Sequence, residues 1–143
     1  MFNIRVYGLL INEKDQILIS DEWIRGNFYT KFPGGGLEFG EGTIDCLRRE
    51  FKEEMNLIIQ VKDHFYTTDF YQQSAFNPND QIISIYYFVT CDERFDLEVI
   101  NSEEGKSECF RFVALSELSE DKMSLPIDQK VARLLLQKMR NQK

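Results

Sequence analysis

The chain has 143 residues, 43% of them hydrophobic, with 12 Phe, 6 Tyr and 1 Trp and a formal charge of −7. That is enough apolar material for one domain of ordinary size with a real core, and no apolar run approaches the roughly 20 residues a membrane helix needs. The acidic balance argues against tight binding to a nucleic-acid polymer, which needs concentrated Lys and Arg, and the lone histidine excludes histidine-rich zinc sites.

The first stretch, MFNIRVYGLLINEKDQ, lacks a basic leader and a small-residue cleavage site, so it reads as a strand and the protein as cytoplasmic. Arg5 to Ile11 and Gln16 to Ser20 are apolar runs on either side of a polar turn, which predicts a two-stranded hairpin. Asp21 to Lys31 reads as a loop carrying Trp23, Arg25 and Lys31. It runs into Phe32-Pro33-Gly34-Gly35-Gly36, where three glycines remove side chains so the backbone can turn sharply or approach a ligand. Thr43 to Met55 is predicted helical, with Thr43 as N-cap and Asp45 in the first turn. Strands are expected at Ile58 to Tyr71 and Gln81 to Cys91. An acidic loop follows at Glu98 to Ser107, then a short strand from Glu108 to Leu115. Pro126 opens a final helix over Ile127 to Met139, with Val131, Leu134, Leu135 and Met139 as its apolar stripe. No repeat, low-complexity tract or linker interrupts the chain, so residues 1–143 read as a single domain. Strands interleaved with helices suggest an α/β/α sandwich around a mixed β-sheet.

Cys46, Cys91 and Cys109 are odd in number and lie in apolar or strand-like contexts, which predicts reduced, partly buried thiols. His64 lies in an alternating stretch, and the chain has no nucleophile elbow. A structural or surface role is expected for it.

On a helical wheel with Ile44 at zero, Leu47, Phe51 and Met55 gather around Ile44 as the buried stripe. Glu53, Glu50 and Glu54 fall at about 180°, 240° and 280°, a continuous acidic strip bordering that stripe. Two such charges about 6 Å apart at an effective dielectric of 20 repel by roughly 3 kcal/mol. A divalent cation removes that cost, and all-oxygen ligands favour Mg²⁺ or Mn²⁺ over zinc. The alternative is a solvated acidic helix face. The glycine turn and the register of Glu41 and Arg49 weigh against it.

Residues Gly35 to Leu57 follow the spacing G-x₅-E-x₇-R-E-U-x-E-E-x-G-U, where U is a bulky apolar residue. Gly35 opens it, Glu41 is the first acid, Arg49-Glu50 the central pair, Phe51 the first U, Glu53-Glu54 the acidic pair and Leu57 the last U. In this the chain resembles the Nudix hydrolases. One position departs, since Asn56 stands where that family has glycine. A left-handed residue is usual just past a helix, and asparagine is the commonest substitute for glycine there.

The resemblance implies an α/β/α fold and a Mg²⁺- or Mn²⁺-dependent enzyme. It would hydrolyse a pyrophosphate bond in a nucleoside diphosphate linked to another group: a nucleotide sugar, a nucleoside triphosphate or a dinucleoside polyphosphate. It assigns Glu50, Glu53 and Glu54 as metal ligands, with the Gly34 carbonyl as a further one. It gives Arg49 the task of orienting a glutamate, with Glu53 the nearest partner on the helix and Glu41 a candidate across the loop. A general base is expected in a late loop, at Glu104 ahead of Glu103, or failing that within the box at Glu50 or Glu53. Arg25 and Lys31 are the cations expected to hold a phosphate. The partner implied is a small nucleotide, with no nucleic-acid polymer and no membrane. Oligomeric state stays open, a homodimer included. The competing readings are a regulatory module that binds a nucleotide without turning it over and, more weakly, a prenyl diphosphate isomerase.

Overall fold

The computed structural model describes residues 1–142. In chain order it contains β1 (Phe2–Leu10), β2 (Gln16–Ile24), β3 (Asn27–Lys31), β4 (Gly34–Gly36), α1 (Thr43–Met55), β5 (Gln60–Thr67) and β6 (Gln81–Thr90). Then come α2 (Leu97–Asn101), β7 (Glu108–Ala114), a 3₁₀ turn at Glu120–Lys122 and α3 (Pro126–Asn141). Two compact units share these elements. One is Met1–Leu10 with Pro33–Arg94; the other is Ile11–Phe32 with the chain from Phe95.

The first unit is a mixed four-stranded sheet in the order β4-β1-β6-β5, carrying α1. β1 runs parallel to β6 from Phe2↔Gln81 to Leu10↔Val89, and the other pairs are antiparallel. The parallel pair needs the long excursion between residues 10 and 81, a distance no local pattern reveals. Gly8 explains how α1 sits on β1. A Cβ there would lie 2.8 Å from the Phe51 ring and 3.2 Å from Val89, so the missing side chain makes room for the helix's largest apolar residue. Leu47, Phe51 and Met55 are buried as the wheel requires, whereas Ile44 is 42% exposed and Cys46 is fully buried. The stripe is therefore shifted at its first turn, where Cys46 turns beneath the glycine strand instead of Ile44 reaching the core.

The second unit is an antiparallel sheet, β3-β2-β7, with α2, α3 and the 3₁₀ turn. Its buried apolar residues are Ile17, Leu18, Ile19 and Phe110 on the strands and Ile127, Val131, Ala132 and Leu135 on α3. α3 contacts the 3₁₀ turn. Just beyond that turn, Ser124 exchanges hydrogen bonds with Thr30 on β3 through its N–H and its hydroxyl.

Several expectations are corrected. β1 and β2 join different sheets, and only an Ile11↔Ile17 bridge stands where a hairpin was expected. The predicted loop at 21–31 is the β2–β3 hairpin. Its tip is Arg25-Gly26, both at positive φ (51° and 82°) as a tight two-residue turn requires. Thr43 is the first helical residue, not the cap. Gly42 takes the cap position, and the Thr43 hydroxyl instead meets the Tyr87 hydroxyl at 2.7 Å. Part of the expected acidic loop at 98–107 is helical, because Asp96 accepts from the Glu98 N–H and starts α2. All three cysteines are free, but only Cys46 is buried, and Cys109 is exposed. Among the described residues no helix is long and apolar enough to cross a membrane.

Candidate active site

The site grows from the glycine strand. β4 pairs with β1 in the register Tyr7↔Gly34, Val6↔Gly35 and Arg5↔Gly36, so its three residues face alternately to the two sides of the sheet. Each glycine has its own reason. Gly34 sits at φ 151°, and a Cβ there would strike the Val6 carbonyl oxygen and crowd Tyr7. At Gly35 a Cβ would fall 2.5 and 2.6 Å from the two carboxylate oxygens of Glu50. The Glu50 carboxylate is thus seated directly on the bare backbone of the turn, with its side chain only 13% exposed. Gly36 faces the opposite side, where a Cβ would come 3.6 Å from Nη1 of Arg5.

Arg49 organises the acids around that seat. Its Nε and Nη2 donate to the two oxygens of Glu41 at 3.0 and 2.7 Å, a fork-to-fork pair. Nη1 donates to Glu50 at 3.0 Å and to Glu53 at 3.2 Å, and lies 3.7 Å from Glu38. Nη2 also reaches the Gly36 carbonyl at 3.0 Å, tying the helix to the strand. Glu41 accepts one more bond, from the Glu38 N–H at 2.9 Å. Arg49 first, and that N–H second, hold the Glu41 carboxyl down at about 2. The same contacts, Glu41 foremost, raise the pKa of Arg49. Beneath them Cys46 donates to the Gly36 carbonyl at 3.4 Å; burial, then the negative charge of Glu41, pushes its thiol up to about 12.

The helix ends as its departure from the glycine pattern requires. Asn56 adopts φ 55°, ψ 35°, its N–H bonds to the Lys52 carbonyl at 3.0 Å, and the Leu57 N–H reaches Phe51 at 3.3 Å. Carbonyls of the last turn are thereby satisfied. Asparagine tolerates the left-handed region, so the turn bearing Glu53 and Glu54 closes without glycine.

The structure therefore brings Glu41, Arg49, Glu50 and Glu53 together beside Gly35 and Gly36, with Gly34 next in the strand but packed against Val6 and Tyr7, and lays Glu54 half-buried on the same helix with its Oε2 sealed from solvent. The donor set is all oxygen, which suits a hard divalent cation. Among the described residues no three acidic, histidine or cysteine side chains already stand close enough to hold an ion. Nη1 of Arg49 bridges Glu50 and Glu53. Glu53 is 58% exposed and can swing away from that contact.

The residues expected to hold a phosphate and to act as base, Arg25, Lys31, Glu103 and Glu104, belong to the second unit. Lys31 is only 4% exposed, with Nζ 3.0 Å from Glu108 and 3.3 Å from Glu22, and Ser20 also donates to Glu108. Arg25 is exposed at the tip of the β2–β3 hairpin. Glu104 is exposed after α2, while Glu103 pairs with Lys106 at 2.9 Å. His64, on β5, is exposed; it bonds to Thr67 at 2.7 Å and packs its ring edge-on to Tyr87. The sequence leaves Glu38 open between a supporting role and plain exposure, and the structure puts it 3.7 Å from Arg49; Arg5 lies beside the glycine strand. Within an alternating strand Arg5 gives no signal of its own.

The family model for the NUDIX domain matches residues 1–135. No curated protein sequence matches the chain. Among solved structures it is similar to a NUDIX hydrolase from Nitrosomonas europaea (18% identity, TM-score 0.73, covering 94% of this chain and 88% of that one). It is also similar to a MutT protein from Methanosarcina mazei (19%, TM-score 0.68, 99% and 96%). A third is an ADP-ribose pyrophosphatase from Streptococcus suis (18%, TM-score 0.65, 96% and 92%). At these identities the likeness establishes a shared mixed α/β fold.

Proposed function

Since the chain belongs to the Nudix family and is a pyrophosphohydrolase, we propose that its substrate is a nucleoside diphosphate linked to another group. That group is a sugar, a further phosphate or a second nucleotide. We take the whole chain as one such domain, because the family match runs through both compact units. The reading rests on one observation above all: the glycine turn is shaped around the Glu50 carboxylate, and Arg49 locks Glu41 and Glu50 against it. A fold that needed only a turn and a solvated helix face would have no use for that fit.

Glu50, Glu53, Glu54 and the Gly34 carbonyl are the groups assigned to hold Mg²⁺ or Mn²⁺. Such an ion, when bound, neutralises phosphate charge and lowers the pKa of a bound water. Arg49 holds the Glu50 carboxylate pointed at the turn, and Glu41 in turn keeps Arg49 in place. Glu104 is assigned as the general base, since its neighbour Glu103 is already engaged by Lys106. Arg25 is a candidate phosphate contact through its exposed guanidinium, and Lys31 becomes one where Glu22 or Glu108 releases it. The free thiols support a reducing, cytoplasmic setting.

The test is a panel of ADP-ribose, a UDP-sugar, the deoxynucleoside triphosphates and a dinucleoside tetraphosphate. Each is assayed for released nucleoside monophosphate or phosphate with Mg²⁺, with Mn²⁺ and with EDTA. Metal-dependent release from at least one is expected. Binding without release from any would establish the regulatory module instead.

A further inference from the structure

We propose that two copies of this chain pair through the outer side of α1, the Phe39 loop of each seating in a groove at the helix end of the other. The inference is independent of the pyrophosphohydrolase reading. The groove, about 470 Å³, lies where α1 gives way to β5. Leu57, Ile58 and Ile59 form its apolar wall, and Arg48, Arg49 and Lys52 its cationic one. Ile58 is 62% exposed while Leu57 and Ile59 on either side are buried, so Ile58 turns away from the core into the groove. The matching knob is in the loop from β4 to α1. Phe39 is fully exposed there, beside the exposed acid Glu38 and followed by Gly40 at φ 94°. An apolar ring beside an acid complements an apolar wall beside cations, and on a chain of net charge −7 the cationic wall is a local exception.

Placement makes the exchange reciprocal. Arg49 is common to knob and groove. Its guanidinium is held by Glu41 and lies 3.7 Å from Glu38 of the loop, and the same residue lines the groove. Both features therefore lie on one side of α1, and a single two-fold axis across the helix fills both grooves at once. Asp45 and Lys52 are exposed on that side, within about 20° of one line along the helix. An antiparallel pair of α1 helices that sets Phe39 against Ile58 also sets Asp45 against Lys52, since both pairs are centred on Arg48-Arg49 in the chain. Arg48 falls near the axis and meets its own copy, a like-charge contact that keeps the association reversible. A head-to-tail chain of copies leaves a groove open at its end, whereas the reciprocal pair leaves none.

The test is sedimentation of the whole chain at rising concentration, without substrate or metal. Wild type should convert from monomer to dimer. Phe39→Ser, at a fully exposed position, should melt like wild type and weaken the dimer at least about tenfold. Asp45→Lys and Lys52→Glu should each stay monomeric, because each sets like charges against one another across the axis. Mixed in equal amounts, these two variants should pair with one another, since each then meets the opposite charge at both contacts. Only folded protein can give that rescue, so it separates a lost interface from a lost fold. A wild type that stays monomeric, or one that builds a larger assembly in place of a dimer, overturns the proposal. So does a Phe39→Ser dimer as tight as wild type, a charge variant that dimerises alone, or a mixture of the two that does not pair.

Discussion

Replacing Gly35 by alanine puts a methyl group where the structure seats the Glu50 carboxylate. Gly35 has no left-handed backbone, so alanine can adopt its conformation and the whole effect is a collision. The new carbon would stand 2.5 and 2.6 Å from the two carboxylate oxygens, where ordinary contact begins near 3.4 Å. Glu50 must retreat by roughly 0.9 Å, a displacement of the size that costs about 10²-fold in catalysis when it moves a positioned group. The barrier then rises by about 2.7 kcal/mol. Stability falls by about 1 to 3 kcal/mol, as for other overpacked sites. Steady-state kinetics at saturating Mg²⁺ and thermal unfolding measure the two effects. The decisive comparison is the double variant Gly35→Ala/Glu50→Ala: with the carboxylate gone, the methyl group should add almost no further loss of stability. Were Gly35→Ala to turn over within about threefold of wild type, or its penalty to persist undiminished without Glu50, the idea that this glycine exists to seat that carboxylate would be wrong.

Glu53→Gln and Glu54→Gln should each lose more than about tenfold in turnover at saturating metal while melting normally; a smaller loss, under about 1.4 kcal/mol in the barrier, removes them as ligands. Glu104→Gln should lower kcat more than Glu103→Gln, and equal, small effects would send the search for the base back to Glu50 or Glu53. Asn56→Gly should be neutral or slightly stabilising, and Asn56→Val should cost roughly 1 to 2 kcal/mol because a β-branched residue resists φ 55°; a harmless valine in a melting experiment contradicts the cap. Glu41 has a folded pKa of about 2 against an ordinary 4.5, so its stabilisation is complete above pH 4.5 and is lost as pH falls toward 2. Acid titration of the melting temperature should therefore be steeper for wild type than for Glu41→Gln across that window, and parallel curves would refute the assignment.

What could be read in advance follows from how local each signal is. α1 carries its own evidence in thirteen residues: the acids, the apolar face beyond the first turn and the cap residue Asn56 lie where the spacing put them, and only Ile44 gives up its core position to Cys46. The glycine turn was legible as a place of close approach, but not that each of its glycines answers to a different neighbour. The β2–β3 hairpin was hidden because its tip is Arg25-Gly26, where asparagine or aspartate before the glycine would have announced the turn. The β1–β2 hairpin was over-read for the opposite reason. A polar tetrapeptide between apolar runs looks like a turn whether or not the strands pair. Here β1 takes β4 and β6 as neighbours instead. Glu38 acquires its contact only across the loop, from residue 38 to Arg49 on α1.

The Lys31–Glu22–Glu108 trio joins β2, β3 and β7, and it constrains how such a sequence can drift. Losing Glu108 first leaves the lysine a partner in Glu22, so that step is passable. Losing Lys31 first leaves two carboxylates facing one another with little water to part them, and breaking a buried pair from one side costs about 3 to 5 kcal/mol. Against a total stability of about 5 to 15 kcal/mol, that is a step few lineages could survive. Descendants of this chain should therefore be able to shed the acid at 108 while keeping the lysine at 31, and seldom the reverse.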